Sequence, residues 1–300
     1  MALIIDIMTL TGEIVMIEPR GFSFNHETTD NFFQNQSPVQ APGEAAMREF
    51  QELKKKLVSA EITVNVFSSK EGTPDAVFPN NWFSTTPAGQ LILYPMKAEN
   101  RRKERTREII EKLKQNYSDL IDLSVLENNE QFLEGTGSLV IDHEQKIAFA
   151  AISQRTNLNA INEWKKKTGY DVITFNSNDK NNEAVYHTNV VMMLGDGFAV
   201  VCSDAISNEK ERNTILKQLS ERREILLITF DQMHSFCCNC IELQNESGKK
   251  FIVMSAKAYN AFSEKQKSIL IKYATIIYSS LNTIETIGGG SARCMIAELF

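Results

Sequence analysis

Hydrophobic and polar positions along the chain fall into one local pattern that recurs. Trp82–Met96 alternates about Pro87-Ala88-Gly89, which predicts a hairpin. A polar, basic stretch follows from Arg101 to about Tyr117, with Ile109, Leu113 and Tyr117 recurring at helical spacing. Leu120–Leu123 then reads as a short strand. The same order returns as a hairpin over Gly135–Ser153, a helix from Asn157 to about Lys167 and a strand at Asp171–Phe175. That helix carries Leu158, Ile161 and Trp164 on one face. A third copy has its hairpin at Thr188–Cys202, a helix within Asn208–Arg222 and a strand at Glu224–Phe230. A fourth has its hairpin at Cys240–Ser255, a helix around Glu264–Tyr273 and a strand at Thr275–Ser279.

The second strands end near Met96, Ser153, Ser203 and Ser255, a period of roughly fifty residues that marks a repeat architecture. A fifth unit is split between the chain ends. Ala292–Phe300 supplies a first strand, and Gly12–Glu18, the helix Glu44–Leu57 and the strand Ile62–Phe67 supply the rest. Pairing the last strand with the first would close five hairpin-helix-strand units into a ring and remove exposed sheet edges. An open α+β domain with similar units is the alternative. No linker divides the chain, so a single domain over 1–300 is expected. The polar stretch His26–Gly43 is an insertion in the first unit, and a loop that long suits a lid.

Composition narrows the function classes. Of 300 residues, 42% are hydrophobic and 23% charged, ordinary for a globular chain. Apolar runs such as Asn189–Leu194 and Phe198–Cys202 fall far short of the roughly 20 residues of a membrane span. The opening MALIIDIMTL makes a poor signal peptide, lacking a basic flank and carrying Asp6. A net charge of −6 argues against nucleic acid and anionic membranes as partners. Five cysteines, an odd number with three at 237–240, suit a reducing cytoplasm better than a disulfide framework.

Each repeat has an equivalent point, just where its hairpin begins. The segments there are PNNWF (79–83), EGTGSL (134–139), HTNVVM (187–192), CCNCIE (237–242) and SARCMI (291–296). Units arranged around an axis would gather Asn80, Asn81, Glu134, His187, Asn189 and Cys294. Alone, Cys294 reads as a small buried hydrophobe and His187 as a structural histidine. At matched points they read as a site, in which a thiolate attacks, an imidazole moves protons and a carboxylate orients. That chemistry needs either a lowered Cys294 pKa or deprotonation assisted by substrate. Cys237-Cys238-Asn239-Cys240 lacks a partner pair for tetrahedral zinc and reads as a buried approach to a strand. Arg101 and Arg155 follow hairpins at similar offsets, which suits clamping of an anion.

These motifs resemble the guanidine-modifying, or pentein, superfamily, and within it the bacterial citrulline-utilisation hydrolases and arginine deiminase-related, amidinotransferase-like proteins. The resemblance rests on PDAVFPNNW (74–82), ENRRKE (99–104), FLEGTGSLV (132–140), SQRTN (153–157), YHTNVVM (186–192) and GGGSARCMIAELF (288–300). It implies a five-bladed α/β-propeller, a catalytic Cys294, His187 and Glu134, and Asp75, Arg101 and Arg155 at the amino-acid end of the substrate. No metal or organic cofactor is implied, and a homo-oligomer is left open. Relatives acting on guanidinium groups place two carboxylates where this chain has Asn80-Asn81, deiminases place Asp at Asn189, and Glu18 stands where relatives usually carry Arg. A carboxamide can donate to a ureido oxygen and accept from its NH groups, which an ionised carboxylate cannot. The expected activity is therefore hydrolysis of citrulline to ornithine, ammonia and carbon dioxide. Alternatives are hydrolysis of arginine or methylarginine, amidino transfer, a non-catalytic binder on the same fold, or a metal- or redox-sensing protein built on the cysteine cluster.

Overall fold

The computed structural model describes residues 10–35 and 41–300; nearly all of the opening segment and the loop residues 36–40 lie outside the described residues. The chain runs through β1 (Glu13–Glu18), α1 (Pro42–Ser59) and β2 (Thr63–Ser68) into a second unit. That unit holds β3 (Phe83–Thr85), β4 (Gln90–Leu93), α2 (Glu99–Arg102), α3 (Arg107–Leu113) and β5 (Asp119–Asp122). The third has a single turn α4 (Gly135–Ser138), β6 (Val140–Asp142), β7 (Ile147–Ile152), α5 (Leu158–Thr168) and β8 (Asp171–Asn176). In the fourth are α6 (Thr188–Val191), β9 (Met192–Leu194), β10 (Phe198–Val201), α7 (Glu209–Ser220) and β11 (Glu224–Leu227). Then come α8 (Phe230–His234), β12 (Ile241–Gln244), β13 (Lys250–Ser255), α9 (Ala256–Ala261), α10 (Glu264–Tyr273), β14 (Thr275–Ser279) and β15 (Ala297–Leu299).

Among the described residues the strands form five three-stranded sheets, one of which joins the last strand to the first, in the order β15-β1-β2. In each sheet the first strand pairs antiparallel with the second and the second parallel with the third. The parallel step needs a crossover, and a helix supplies it. Neighbouring sheets meet through their first strands: Thr85 Oγ1 donates to the Glu298 carbonyl at 2.9 Å. On the far side the Gln244 N–H reaches the Thr11 carbonyl at 3.1 Å.

The crossover helices follow local chemistry. Asn157 caps α5 by accepting from the Asn159 N–H, Gly169 ends it at φ +76°, and Lys165–Lys167 complement its C-terminal dipole. Its inner face packs Ala160, Ile161 and Trp164, all buried, while Leu158 is half exposed rather than on that face. Trp164 also donates from Nε1 to the Tyr94 hydroxyl at 3.1 Å.

The continuous helix expected over 101–117 is two helices. Arg101 and Glu104 fold onto each other in the interior at 2.9 Å, and the chain restarts at Thr106, whose hydroxyl caps α3 by accepting from the Ile109 N–H. The strand expected to reach Phe230 stops at Leu227, because Thr229 and Gln232 form a capping box that opens α8. A third difference bears on chemistry. Three of the five equivalent segments make a helical turn before their first strand: Pro79–Asn81, Gly135–Ser138 and Thr188–Val191.

Candidate active site

Those turns aim the side chains of the equivalent segments toward one place. Gly135 adopts φ +48°, and a Cβ there would stand 2.2 Å from the Asn80 carbonyl oxygen. Gly137 lies under the site itself: a Cβ would fall 2.6 Å from Asn81 Nδ2 and 2.7 Å from His187 Nδ1. The EGTGS segment is thus glycine-bearing because a carboxamide and an imidazole pack directly on its backbone.

Glu134 and His187 meet there, both buried, with Glu134 Oε2 and His187 Nε2 2.9 Å apart. Glu134 Oε1 accepts from the Lys97 N–H at 3.1 Å, and Arg155 Nη1 stands 3.6 Å from Oε2. Burial alone would raise the Glu134 carboxyl, but Arg155, His187 and Arg101 outweigh it and hold it at about 2. Burial also lowers His187, against the pull of Glu134, so the resting imidazole is neutral. The bond to Glu134 engages Nε2 and leaves Nδ1 for the cavity.

Cys294 sits across this cavity, buried, and burial raises its thiol pKa. The lowered resting pKa, one of the two routes to a thiolate expected from sequence, is therefore absent. Two amides face the sulfur: Asn239 Nδ2 at 3.2 Å and Asn189 Nδ2 at 3.7 Å. Asn189 Nδ2 also donates to the Thr136 carbonyl at 3.2 Å.

Asp75, Asn81, Arg101, Arg155, His187 and Cys294 all line the cavity. Glu134 stands behind His187, and Asn80 turns away to donate to Thr136 Oγ1 at 3.2 Å. Arg101 is already committed: Nε and Nη2 grip Glu104 at 2.9 and 3.0 Å, and Nη1 donates to Asn81 Oδ1 at 2.7 Å. Its Nη2 also donates to the Phe78 carbonyl at 3.1 Å. Burial would push Glu104 up, Arg101 opposes it, and the balance leaves Glu104 at about 7. Burial raises Asp75 too, and among the described residues its Oδ1 has no partner while Oδ2 accepts from Asn25 Nδ2 at 2.7 Å.

Several participants went unread in the sequence. Asp30, in the inserted loop, takes the Arg155 guanidinium in a fork, Nε at 3.1 Å and Nη2 at 2.5 Å, and binds Lys97 Nζ at 2.9 Å. Asn31 Nδ2 and Gln34 Nε2 donate to the carbonyls of Gly289 and Gly288, both at 3.2 Å, so the loop is fastened over the glycine run. Tyr186 lies under Arg155, guanidinium to ring 5.0 Å, and its hydroxyl also reaches the Gly289 carbonyl at 2.7 Å. With the loop so placed the cavity is about 10 Å³, room for about one water. Asn239 was legible by equivalence, since it holds the third position of CCNCIE as Asn189 does of HTNVVM. The three cysteines around it are buried free thiols, as expected of a buried approach to β12. Glu18 pairs with Arg20 at 2.8 Å and does not line the cavity.

Comparison with known proteins follows from this geometry. A family model described as N,N dimethylarginine dimethylhydrolase, eukaryotic, matches residues 18–300. No curated protein matches the chain significantly in sequence. Among solved structures, an apo arginine dihydrolase, ArgZ, of the cyanobacterial ornithine-ammonia cycle is similar at TM-score 0.77 and 17% identity. The match covers 95% of this chain and 40% of that one, so this chain spans less than half of that relative's length. The N-terminal domain of ArgZ, covalently bound to a reaction intermediate, is similar at TM-score 0.77 and 18% identity, covering 95% and 96%. A dimethylarginine dimethylaminohydrolase variant from Pseudomonas aeruginosa, complexed with citrulline, is similar at TM-score 0.70 and 16% identity, covering 97% and 100%. At these identities the structural likeness speaks for the fold.

Proposed function

The chain belongs to the N,N-dimethylarginine dimethylhydrolase family, within the pentein superfamily of guanidino-modifying enzymes, and from that premise we propose that it hydrolyses a ureido amino acid, citrulline, with Cys294 as nucleophile. The catalytic unit is residues 1–300 as one domain, its five sheets closed into a propeller by the β15–β1 pairing. Cys294 gives its proton to Nδ1 of the neutral His187 only as substrate binds, and the thiolate attacks the ureido carbon. His187 returns that proton through Nδ1 to the first departing amine, leaving an S-carbonyl adduct that still carries the other nitrogen, then activates water to release it as a carbamate, which breaks down to carbon dioxide and the second amine. Glu134 fixes the ring through Nε2 and stabilises the imidazolium. The net reaction consumes one water and gives ornithine, ammonia and carbon dioxide.

The observation that carries the ureido reading is the orientation of Asn81. Arg101 Nη1 can only donate, so the oxygen of Asn81 must face it at 2.7 Å. The amide NH2 is thereby turned away, and it has no partner among the described residues. A neutral C=O answers such a donor, and a guanidinium nitrogen does not. Arg155 takes the substrate carboxylate in place of Asp30, and Asp75 takes the ammonium. Because Arg101 is spent on Glu104, its part is to hold Asn81 rather than to clamp substrate. Cytoplasmic action fits the free thiols, and no helix among the described residues is long and apolar enough to cross a membrane.

A second reading has arginine enter first. The unpartnered Asn189 Oδ1 would accept an extra N–H of a guanidinium, and the cyanobacterial neighbour is an arginine dihydrolase. Initial rates on citrulline, arginine and N,N-dimethylarginine, read as ammonia, dimethylamine and ornithine, separate these. Citrulline should be the fastest substrate and Cys294→Ser should abolish turnover while staying folded. A clear preference for arginine refutes the ureido reading, and an active Cys294→Ser refutes the nucleophile.

A further inference from the structure

We propose that Asn239 is a positioning residue for the Cys294 sulfur, holding its main chain with one end of the carboxamide and stabilising its thiolate with the other. This rests on Cys294 acting as the nucleophile. The Cys294 N–H points at Asn239 Oδ1 at 3.4 Å, as well as at the Ser291 carbonyl at 3.0 Å. An N–H cannot face an NH2 group, so the oxygen of Asn239 must lie toward that main chain. The NH2 is then directed at Sγ, 3.2 Å away. A third link, from the Arg293 N–H to the Asn239 carbonyl at 3.2 Å, ties the two turns together.

The surroundings make this amide conspicuous. It is 1% exposed and flanked in sequence by three buried thiols, where a polar side chain costs free energy unless its bonds are made. Its bonds are made to Cys294. Asn239 does not line the substrate cavity, so its contribution runs through the sulfur and not through the ligand. An NH2 donor favours the sulfur's charged form over its neutral form, working against the burial that opposes ionisation.

Other charges bear on the same sulfur and stay constant in the test. Arg293 is next in the chain, and Arg155, Arg101 and Asp75 line the same cavity. His187 and Tyr186 face the sulfur across that cavity, and Glu285 stands behind it through Ser291 Oγ at 2.6 Å. Apart from the Arg293 main-chain N–H already described, none of these groups touches Asn239 by a hydrogen bond among the described residues.

Two variants divide thiolate stabilisation from plain bracing. Asn239→Asp keeps an oxygen for the Cys294 N–H but replaces the sulfur's donor with a carboxylate; Asn239→Leu removes both. The readout is the pH dependence of Cys294 alkylation by iodoacetamide, followed by peptide mass spectrometry, together with the pH profile of kcat/KM on the best substrate. Both variants should show about tenfold less thiolate at a given pH, or a greater loss, with Asn239→Asp the more affected and KM nearly unchanged. If Asn239→Leu fails to fold, Asn239→Asp alone decides. Alkylation midpoints in the variants that coincide with the wild-type midpoint, with only thermal stability reduced, would overturn the proposal. Turnover by Cys294→Ser would instead remove the premise, and the alkylation series tells the two failures apart because it needs no turnover.

Discussion

Replacing Glu134 by glutamine removes a charge and little volume, and the structure sets the size of the effect. In the folded chain this carboxyl is held at about 2, against an ordinary 4.5, by Arg155, His187 and Arg101 acting against burial. At roughly 1.4 kcal/mol per pH unit, that gap is about 3 kcal/mol. The carboxyl is depressed on folding, so its contribution is complete above 4.5 and is lost as pH falls from 4.5 through 2. Glu134→Gln should therefore be less stable than wild type by about 3 kcal/mol at pH 7, with the gap shrinking to about half at pH 3. Urea titrations at several pH values measure this directly. On the reaction side, Gln leaves His187 without a charged partner, and kcat should fall by about 10²–10⁴-fold. KM should hardly move, because Glu134 stands behind His187 and does not line the cavity. A stability gap constant from pH 3 to 7 would refute the electrostatic reasoning. A large rise in KM with kcat intact would refute the assignment of Glu134 to the imidazole.

Two further outcomes follow from charged groups elsewhere. Asp30→Ala frees Arg155 from the loop's fork, so KM for a carboxylate-bearing substrate should fall several-fold in steady-state kinetics; a rise would mean that Asp30 helps bind substrate instead of competing with it. Glu242 is raised to about 7 by burial with Oε1 unpartnered, so its ionisation destabilises the fold progressively as pH climbs from 4.5 through 7. Glu242→Gln should gain about 3 kcal/mol over wild type in urea at pH 9 and nothing at pH 4, whereas an equal gain at both would exclude the titration as its cause.

The fold was legible because the repeat is written in hydrophobic spacing, which survives however the units are connected. Even the sheet shared by β15 and β1 could be read from a first strand with no second strand after it. What escaped was set by partners distant in sequence. The break between α2 and α3 depends on a buried Arg101–Glu104 pair, and a helical pattern with basic residues shows only a solvated face. Arg101 and Arg155 looked alike by their offset after a hairpin, yet one is consumed by Glu104 and the other by Asp30. Asp30 lies in a polar insertion with no periodicity to mark it, and its meaning comes from an arginine 125 residues away. Asn239 was readable by its repeat-equivalent position and was masked by its cysteine neighbours, which draw attention to metal and redox chemistry.

The unsatisfied atoms of the site carry the argument about substrate further than its satisfied ones. Buried polar atoms in a folded chain are nearly all paired, so each exception marks either a cost or an expected visitor. Among the described residues, the exceptions on side chains that line the cavity are Asp75 Oδ1 and Asn81 Nδ2; Asn80 Oδ1 and Asn189 Oδ1 are also unpartnered, on side chains that do not line it. Under the proposed ureido reading, a visitor presents a donor to Asp75 and an acceptor to Asn81. Asp75 is also the group whose ionisation burial resists, so an arriving ammonium would supply the charge that its surroundings leave unmatched. Ammonium and carbonyl oxygen occur together in a ureido amino acid. A guanidino amino acid meets the first demand and sets its NH2 against the NH2 of Asn81. Exchanging that amide for a carboxylate, Asn81→Asp, would reverse the preference, although the new acid would then also have to share Arg101 with Glu104.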